Sequence, residues 1–277
     1  MNILIAGAGY IGRPLAERLA AEGHQVFAVR RSAQAADGLV HWLAADLSQG
    51  LDAQLLPQTL DAVVFSASPD GFDETAYRQV FLQAQTALLD SLDQAGLGPR
   101  RYVMIGSTAV YPPGQGEWID TDSVCQPQRF TGKVLLEAEQ TLRERLGERL
   151  VVARLTGIYG AGRSDSMVQR LLEKGCNPGQ YTNRIHRDDA VGFLAHLLTL
   201  ETSEPVYLVS DDQPVDQCTL ARWLSEHLGQ SAPAVDHQRW SPRGNRRVSN
   251  RAMRESGYRL KFPDFRTGLA NAQGRSS

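Results

Sequence analysis

The stretch that decides the fold is Asn2-Ile3-Leu4-Ile5-Ala6-Gly7-Ala8-Gly9-Tyr10-Ile11-Gly12. Its first five residues form a short apolar run that predicts a buried strand. The pattern from Tyr10 to Glu22 predicts a helix that stops at Gly23. Three glycines with the spacing G-x-G-x-x-G occupy the turn between them, and it is this strand-to-helix context that gives the pattern meaning. Gly7 allows the tight turn, Gly9 lets the backbone approach a pyrophosphate, and Gly12 lets helix and strand pack closely. The helix N-terminus that follows, with Tyr10 and Ile11 in the turn, offers N–H groups and a positive dipole end to an anion.

Working outward, a second strand over Gln25 to Val29 ends at Arg30, Arg31 and Ser32. A site for NAD would carry Asp or Glu here to hold the ribose 2′-hydroxyl. Two guanidiniums suit a 2′-phosphate instead, through charge-assisted bidentate hydrogen bonds, so NADP is expected ahead of NAD. Asp46, after a third strand over Val40 to Ala44, is placed either to accept from an adenine amino group or to cap a helix. Ser66, Ala67 and Ser68 close a fourth strand at the sheet edge where ligands of open α/β sheets bind.

Strands continue at Tyr102 to Ile105, Leu150 to Arg154 and Val206 to Val209. Helical patterns lie at Thr75 to Ala95, Met167 to Lys174, Lys133 to Leu146, Arg187 to Leu200 and Thr219 to Leu228. This alternation predicts an α/β fold with a doubly wound parallel sheet. The division expected is residues 1–156 as the cofactor-binding domain, with 157–277 completing the sheet and forming a smaller lobe. The 277 residues carry 29 Lys+Arg against 31 Asp+Glu, a formal charge of −2, which argues against nucleic acid as a partner. No apolar run reaches the length of a transmembrane helix, and the N-terminus has no secretory character, so a cytoplasmic protein that does not engage membranes is expected. Cys125, Cys176 and Cys218 are widely spaced and odd in number, which predicts thiols rather than disulfides or a metal site.

At Ile105-Gly106-Ser107-Thr108-Ala109-Val110-Tyr111 the sequence becomes more specific. With the glycine turn, Arg154-Leu155-Thr156-Gly157-Ile158-Tyr159-Gly160, Arg184-Ile185-His186-Arg187-Asp188-Asp189 and Arg247-Val248-Ser249-Asn250, it resembles the extended short-chain dehydrogenase/reductase superfamily of NAD-dependent epimerases and dehydratases. The resemblance implies a Rossmann domain with a small C-terminal substrate lobe, and nucleotide sugars as the usual substrates. It also implies that Ser107, with Thr108 beside it, polarises the reacting oxygen. Lys133 would hold the nicotinamide ribose, four residues after an acid/base tyrosine. Here that position is Arg129, which stays charged to above pH 12 and cannot shuttle a proton. The chain therefore resembles the atypical branch that lacks the tyrosine. Tyr111 or Tyr159 could substitute as the acid, and Arg129 could bind an anionic substrate.

Arg163, Arg184, Arg243, Arg246 and Arg247 fall in segments where the family binds substrate. They either converge on an anion or form a solvated basic tail. His186 is expected at the edge of the substrate cleft, with the two aspartates after it capping a helix, and no metal site is expected. The function implied is an epimerase/dehydratase-like oxidoreductase acting on a nucleotide sugar or other polar carbonyl or alcohol. The alternative is a non-catalytic NADP sensor. A homodimer through the long helices is common in the family.

Overall fold

The computed structural model describes residues 1–32, 38–163, 169, 173, 175–238, 240–241 and 244–273. Its centre is a seven-stranded sheet. In chain order the strands are β1 (Asn2–Ala6), β2 (Gln25–Arg30), β3 (Val40–Ala44), β4 (Ala62–Phe65), β5 (Arg101–Ser107), β7 (Leu150–Leu155) and β11 (Val206–Val209), with a short β6 (Trp118–Ile119) and other small strands in between. The spatial order is β11-β7-β5-β4-β1-β2-β3. β1 pairs in parallel with β2 on one side and β4 on the other, so the winding reverses between β1 and β4. A crevice at the carboxyl ends of such strands is the standard ligand position of doubly wound sheets. β1 and β4 are buried almost throughout because helices cover both faces, which explains their continuous apolar runs.

Helix α1 (Gly12–Ala21) buries Leu15, Ala16, Leu19 and Ala20 and has no acidic side chain in its first turn. The pattern expected over Thr75 to Ala95 is realised as α2 (Glu74–Arg78), a π-helical turn (Gln79–Ala84) and α3 (Gln85–Gln94). Buried Gln85, beyond the turn, donates from its amide to Phe81 O at 2.7 Å, and its carbonyl oxygen accepts from Tyr102 Oη at 3.3 Å. Helix α4 (Phe130–Leu146) begins three residues before the expected Lys133. Its buried Glu139 meets Arg154 of β7, with Arg154 Nη2 donating to Glu139 Oε2 at 2.5 Å. The helix expected over Met167–Lys174 falls mostly outside the described residues.

The chain forms two compact units. The first comprises Met1–Val110, Pro127–Arg154 and Val191–Tyr207; the second comprises Tyr111–Gln126, Leu155–Ala190 and Leu208–Ser277. In the second unit, β8 (Gly157–Tyr159) pairs with β10 (Arg184–His186), β9 (Tyr181–Thr182) with β12 (Val215–Asp216), and β6 with β13 (Arg247–Val248). Helix α5 (Arg187–Thr199) follows β10, and α6 (Gln217–Leu228) is capped by Asp216, whose carboxylate accepts from Thr219 N at 2.9 Å.

Two of the three cysteines are not the thiols expected. Cys176 and Cys218 are joined in a disulfide with Cα atoms 5.0 Å apart, and Cys125 lies outside it. The pair sits in a cluster with Tyr159, Val215, Leu220, Leu224, Phe265 and Leu269. A separation of 42 residues gave no hint of it in the sequence. The start of α6 and the bridge between Cys176 and Val235 bring the sulfurs together. Among the described residues, no helix is long and apolar enough to cross a membrane.

Candidate cofactor site and active site

The first unit contains a cavity of about 500 Å³ at the β1/β4 reversal. It is lined by the glycine turn, the ends of β2 and β4, and the Asp46–Ser48 segment. Gly7 has φ +101°, and a Cβ there would come 2.4 Å from the Ala67 backbone. At Gly12 a Cβ would lie 2.2 Å from Gly7 O and 2.4 Å from Ser66 Oγ, so any larger residue would wedge the helix off the strand. A Cβ on Gly9, by contrast, would meet nothing within 4 Å. The turn therefore closes behind Gly7 and Gly12 and opens at Gly9, the shape that admits a pyrophosphate against backbone. Ser66 Oγ donates to Gly7 O at 2.6 Å and ties the end of β4 to the turn. These residues fit a dinucleotide cofactor. Tyr10, Ile11 and Gly12 do not line the cavity: Ile11 is buried, and Gly12 is spent on packing.

At the adenosine end the lining includes Arg30, Arg31, Ser32, Asp46 and Asp70. Arg31 makes a two-pronged ion pair with Asp70, with Nη2 donating to Oδ1 at 2.6 Å and Nη1 to Oδ2. This pair holds the Asp70 carboxyl below its usual range. The Arg30 guanidinium carries no such pair among the described residues. Asp46 caps the turn Leu47–Gln49, accepting from Ser48 N at 2.9 Å and Ser48 Oγ at 2.8 Å, which lowers its pKa. Asp70 has no counterpart in the sequence pattern. Only the path of the chain after β4 brings it across to β2.

Ser107 and Thr108, expected to act on substrate, stand at the end of β5. Ser107 Oγ accepts from Ala109 N at 3.2 Å, which leaves its own proton to donate to a substrate oxygen. Thr108 opens the half-buried turn Thr108–Val110. Gly132, in the first turn of α4, lies so close that a Cβ would be 2.1 Å from Ala109 O. This contact seats the first turn of α4 on the Thr108–Val110 turn, and Lys133, the next residue, is exposed. Arg129 stands at the N-cap of α4 with its guanidinium carbon 5.6 Å from the Phe72 ring centre. Phe72 itself is 65% exposed and packs edge-on to Phe130 and Tyr77.

In the second unit, Tyr111 is buried and its hydroxyl donates to Asp120 O at 3.0 Å. Tyr159 is also buried, near Asp264 O and tight against Gly268, and desolvation drives its pKa far up. A phenol held in that way does not give up its proton, so Tyr159 is a packing residue. His186, expected at the edge of a cleft, is buried. Its ring is 4.0 Å from Phe262 and 5.1 Å from Tyr159, its Nδ1 accepts from Asp188 N at 3.1 Å, and burial lowers its pKa. Asp189 does not cap α5. It is fully buried, and its carboxylate accepts from Lys261 N and Phe262 N at 2.7 and 2.8 Å. Two of the five arginines, Arg184 and Arg246, are buried rather than part of a solvated tail. Arg184 is buried, and Arg246 donates to Tyr111 O and Pro112 O. Arg247 lies between Trp118 and Tyr181, at 5.3 and 5.0 Å, with Nε donating to Gly116 O at 2.6 Å. Arg163 is exposed at the turn after Gly160, and Arg243 lies outside the described residues. Among the described residues no group of His, Cys, Asp or Glu could hold a metal ion.

A doubly wound sheet with a glycine cradle at its winding reversal defines a Rossmann-type dinucleotide-binding protein. Residues 3–180 match the model of the NAD dependent epimerase/dehydratase family, and the chain belongs to that family. Protein YeeZ of Escherichia coli K12 is 27% identical, over 95% of this chain and 97% of its own. A dTDP-6-deoxy-L-talose 4-dehydrogenase (NAD(P)(+)) of Kitasatospora kifunensis is 28% identical, over 58% of this chain and 53% of its own. A solved structure from Methylobacillus flagellatus, described as an NAD-dependent epimerase/dehydratase, shares 32% identity with a TM-score of 0.79, covering 99% of this chain and 97% of that one. Membership makes an NAD(P)-dependent oxidoreductase or epimerase the coarse role of this chain.

Proposed function

We propose that the protein is an oxidoreductase or epimerase-like enzyme of the atypical branch that prefers NADP, acting on a polar carbonyl or alcohol such as a nucleotide sugar. The observation that carries this reading is the cavity, in which the Gly9 opening and the Arg30 guanidinium lie on one lining. The dinucleotide, when bound, supplies a hydride donor or acceptor. Gly7, Ala8 and Gly9 would hold its pyrophosphate, Arg30 and Arg31 its 2′-phosphate, and Lys133 its nicotinamide ribose. Ser107, with Thr108, donates to the substrate oxygen. Arg129, at the N-cap of α4 and against Phe72, suits an anionic group on the substrate rather than a proton shuttle. Water takes the proton role of the missing tyrosine. The NAD(P)(+) dehydrogenase relative supports the cofactor and the sugar-nucleotide class. The cytoplasm, which supplies nicotinamide cofactors, is the inferred workplace.

Titrating NADPH and NADH against the fluorescence of Trp42, Trp118, Trp223 and Trp240 tests the cofactor half of this reading. Tighter NADH binding overturns the NADP preference. A panel of sugar nucleotides and simple carbonyl compounds, read by NADPH oxidation, tests the other half. Tight cofactor binding with no turnover on any of them favours the sensor reading.

A further inference from the structure

Arg31 faces the same cavity as Arg30, yet it is already engaged. Its partner Asp70 stands in the loop after β4, and the two side chains meet across the adenosine end of the cavity as a fork on a carboxylate. A carboxylate is a poor imitation of a phosphate dianion, with the same two-oxygen geometry but half the charge. Both side chains are largely exposed, at 66% and 70%, and exposed ion pairs of this kind hold by a factor of about five or less. A 2′-phosphate entering beside Arg30 therefore meets a guanidinium whose present partner is easily displaced. It also meets the negative charge that partner leaves behind.

We propose that Asp70 sets the cofactor preference of this site by occupying Arg31 until a 2′-phosphate displaces it. This rests on the cofactor reading above and extends it to a residue outside the glycine turn and the β2 end. With NAD, which lacks the phosphate, the Arg31–Asp70 pair stays closed and costs the cofactor nothing. With NADP, Arg31 exchanges one acceptor for a stronger one, and Asp70 opposes the exchange twice, as competitor and as a like charge. Asp70 is thus a specificity-determining residue that moderates the advantage of the paired arginines and keeps NAD admissible.

The test compares ligands that differ by the 2′-phosphate alone, 2′,5′-ADP against 5′-AMP and NADPH against NADH, binding to the parent protein and to Asp70→Asn and Asp70→Glu by calorimetry or fluorescence. Asp70→Asn should tighten 2′,5′-ADP and NADPH by about three- to tenfold and leave 5′-AMP and NADH within about twofold. Asp70→Glu, which keeps the charge, should stay near the parent. The gain in Asp70→Asn should shrink as salt is raised from 50 to 500 mM. If Asp70→Asn changes neither phosphate-bearing ligand, or shifts all four equally, the role of Asp70 is overturned while cofactor binding stands. If the parent binds neither NADPH nor NADH, the cofactor reading fails and this inference falls with it.

Discussion

The two units use arginine in opposite ways. At the end of β2, Arg30 and Arg31 stand on the lining of a cavity, one without an ion pair among the described residues and the other held by an exposed carboxylate. In the second unit, Arg184 and Arg246 are buried, with burial drawing their pKa values down; Arg184 Nη1 donates to Thr182 Oγ1 while its Nε has no partner, and Arg246 donates to backbone carbonyls. A guanidinium kept in water holds its donors ready for a ligand. One taken out of water turns its donors toward the fold, where partners offset part of its desolvation. The count of arginines in a segment therefore says little about anion binding until burial is known. Arg154 in the first unit follows the same rule, since it is buried and fully engaged by Glu139.

The contrast can be broken most forcefully at that pair. Glu139→Ala strands a buried cation, and about 3–5 kcal/mol of stability should be lost in urea or guanidinium denaturation. A loss below 1 kcal/mol would mean that burial does not govern how these arginines work. The disulfide of the second unit comes next. Its closed loop of about 42 residues predicts that reduction, or Cys218→Ser, lowers stability by about 3–4 kcal/mol. A denaturation midpoint indifferent to dithiothreitol would show that the cysteines are not joined in solution.

Asp211 sharpens the comparison through pH. Desolvation pushes its carboxyl up to about 8, and its Oδ2, like Arg184 Nε, lacks a hydrogen-bond partner. The native state holds a proton that the unfolded chain has already released above pH 4. The resulting stabilisation is present at low pH and is lost as pH rises through about 8. Between pH 6 and 9 the protein should lose about 3 kcal/mol relative to Asp211→Asn, as measured by denaturation at each pH. An equal slope in both proteins would place Asp211 in water. Arg30→Ala should leave stability alone and weaken NADPH about tenfold, with NADH within about twofold, by fluorescence titration. Equal weakening of both cofactors would assign Arg30 to the fold.

Much of the first unit was legible because its signals are local. β1, β3 and β11 have the expected limits, and the glycine turn carries its own geometric reason in each glycine. The second unit was harder to read, since its strands are two or three residues long and take their places from contacts distant in sequence. His186 illustrates the limit. A histidine beside two aspartates reads as a polar edge, but the packing of Phe262 and Tyr159 on its ring makes it core. Asp189 reads as a helix cap and instead holds the backbone at Lys261 and Phe262.

By itself the sequence determined the parallel α/β alternation, the cradle at Gly7, Gly9 and Gly12, and the two arginines after β2, and the family resemblance marked the arginine where a tyrosine is usual. The first three are properties of residue type and short spacing, and backbone sterics and periodicity read such spacings directly. Tertiary structure alone decided that Asp70 reaches Arg31, that Glu139 meets Arg154, that Cys176 joins Cys218, and which arginines keep their donors. These depend on pairs 15 to 42 residues apart and on burial, and neither distance nor dielectric is written in the local sequence.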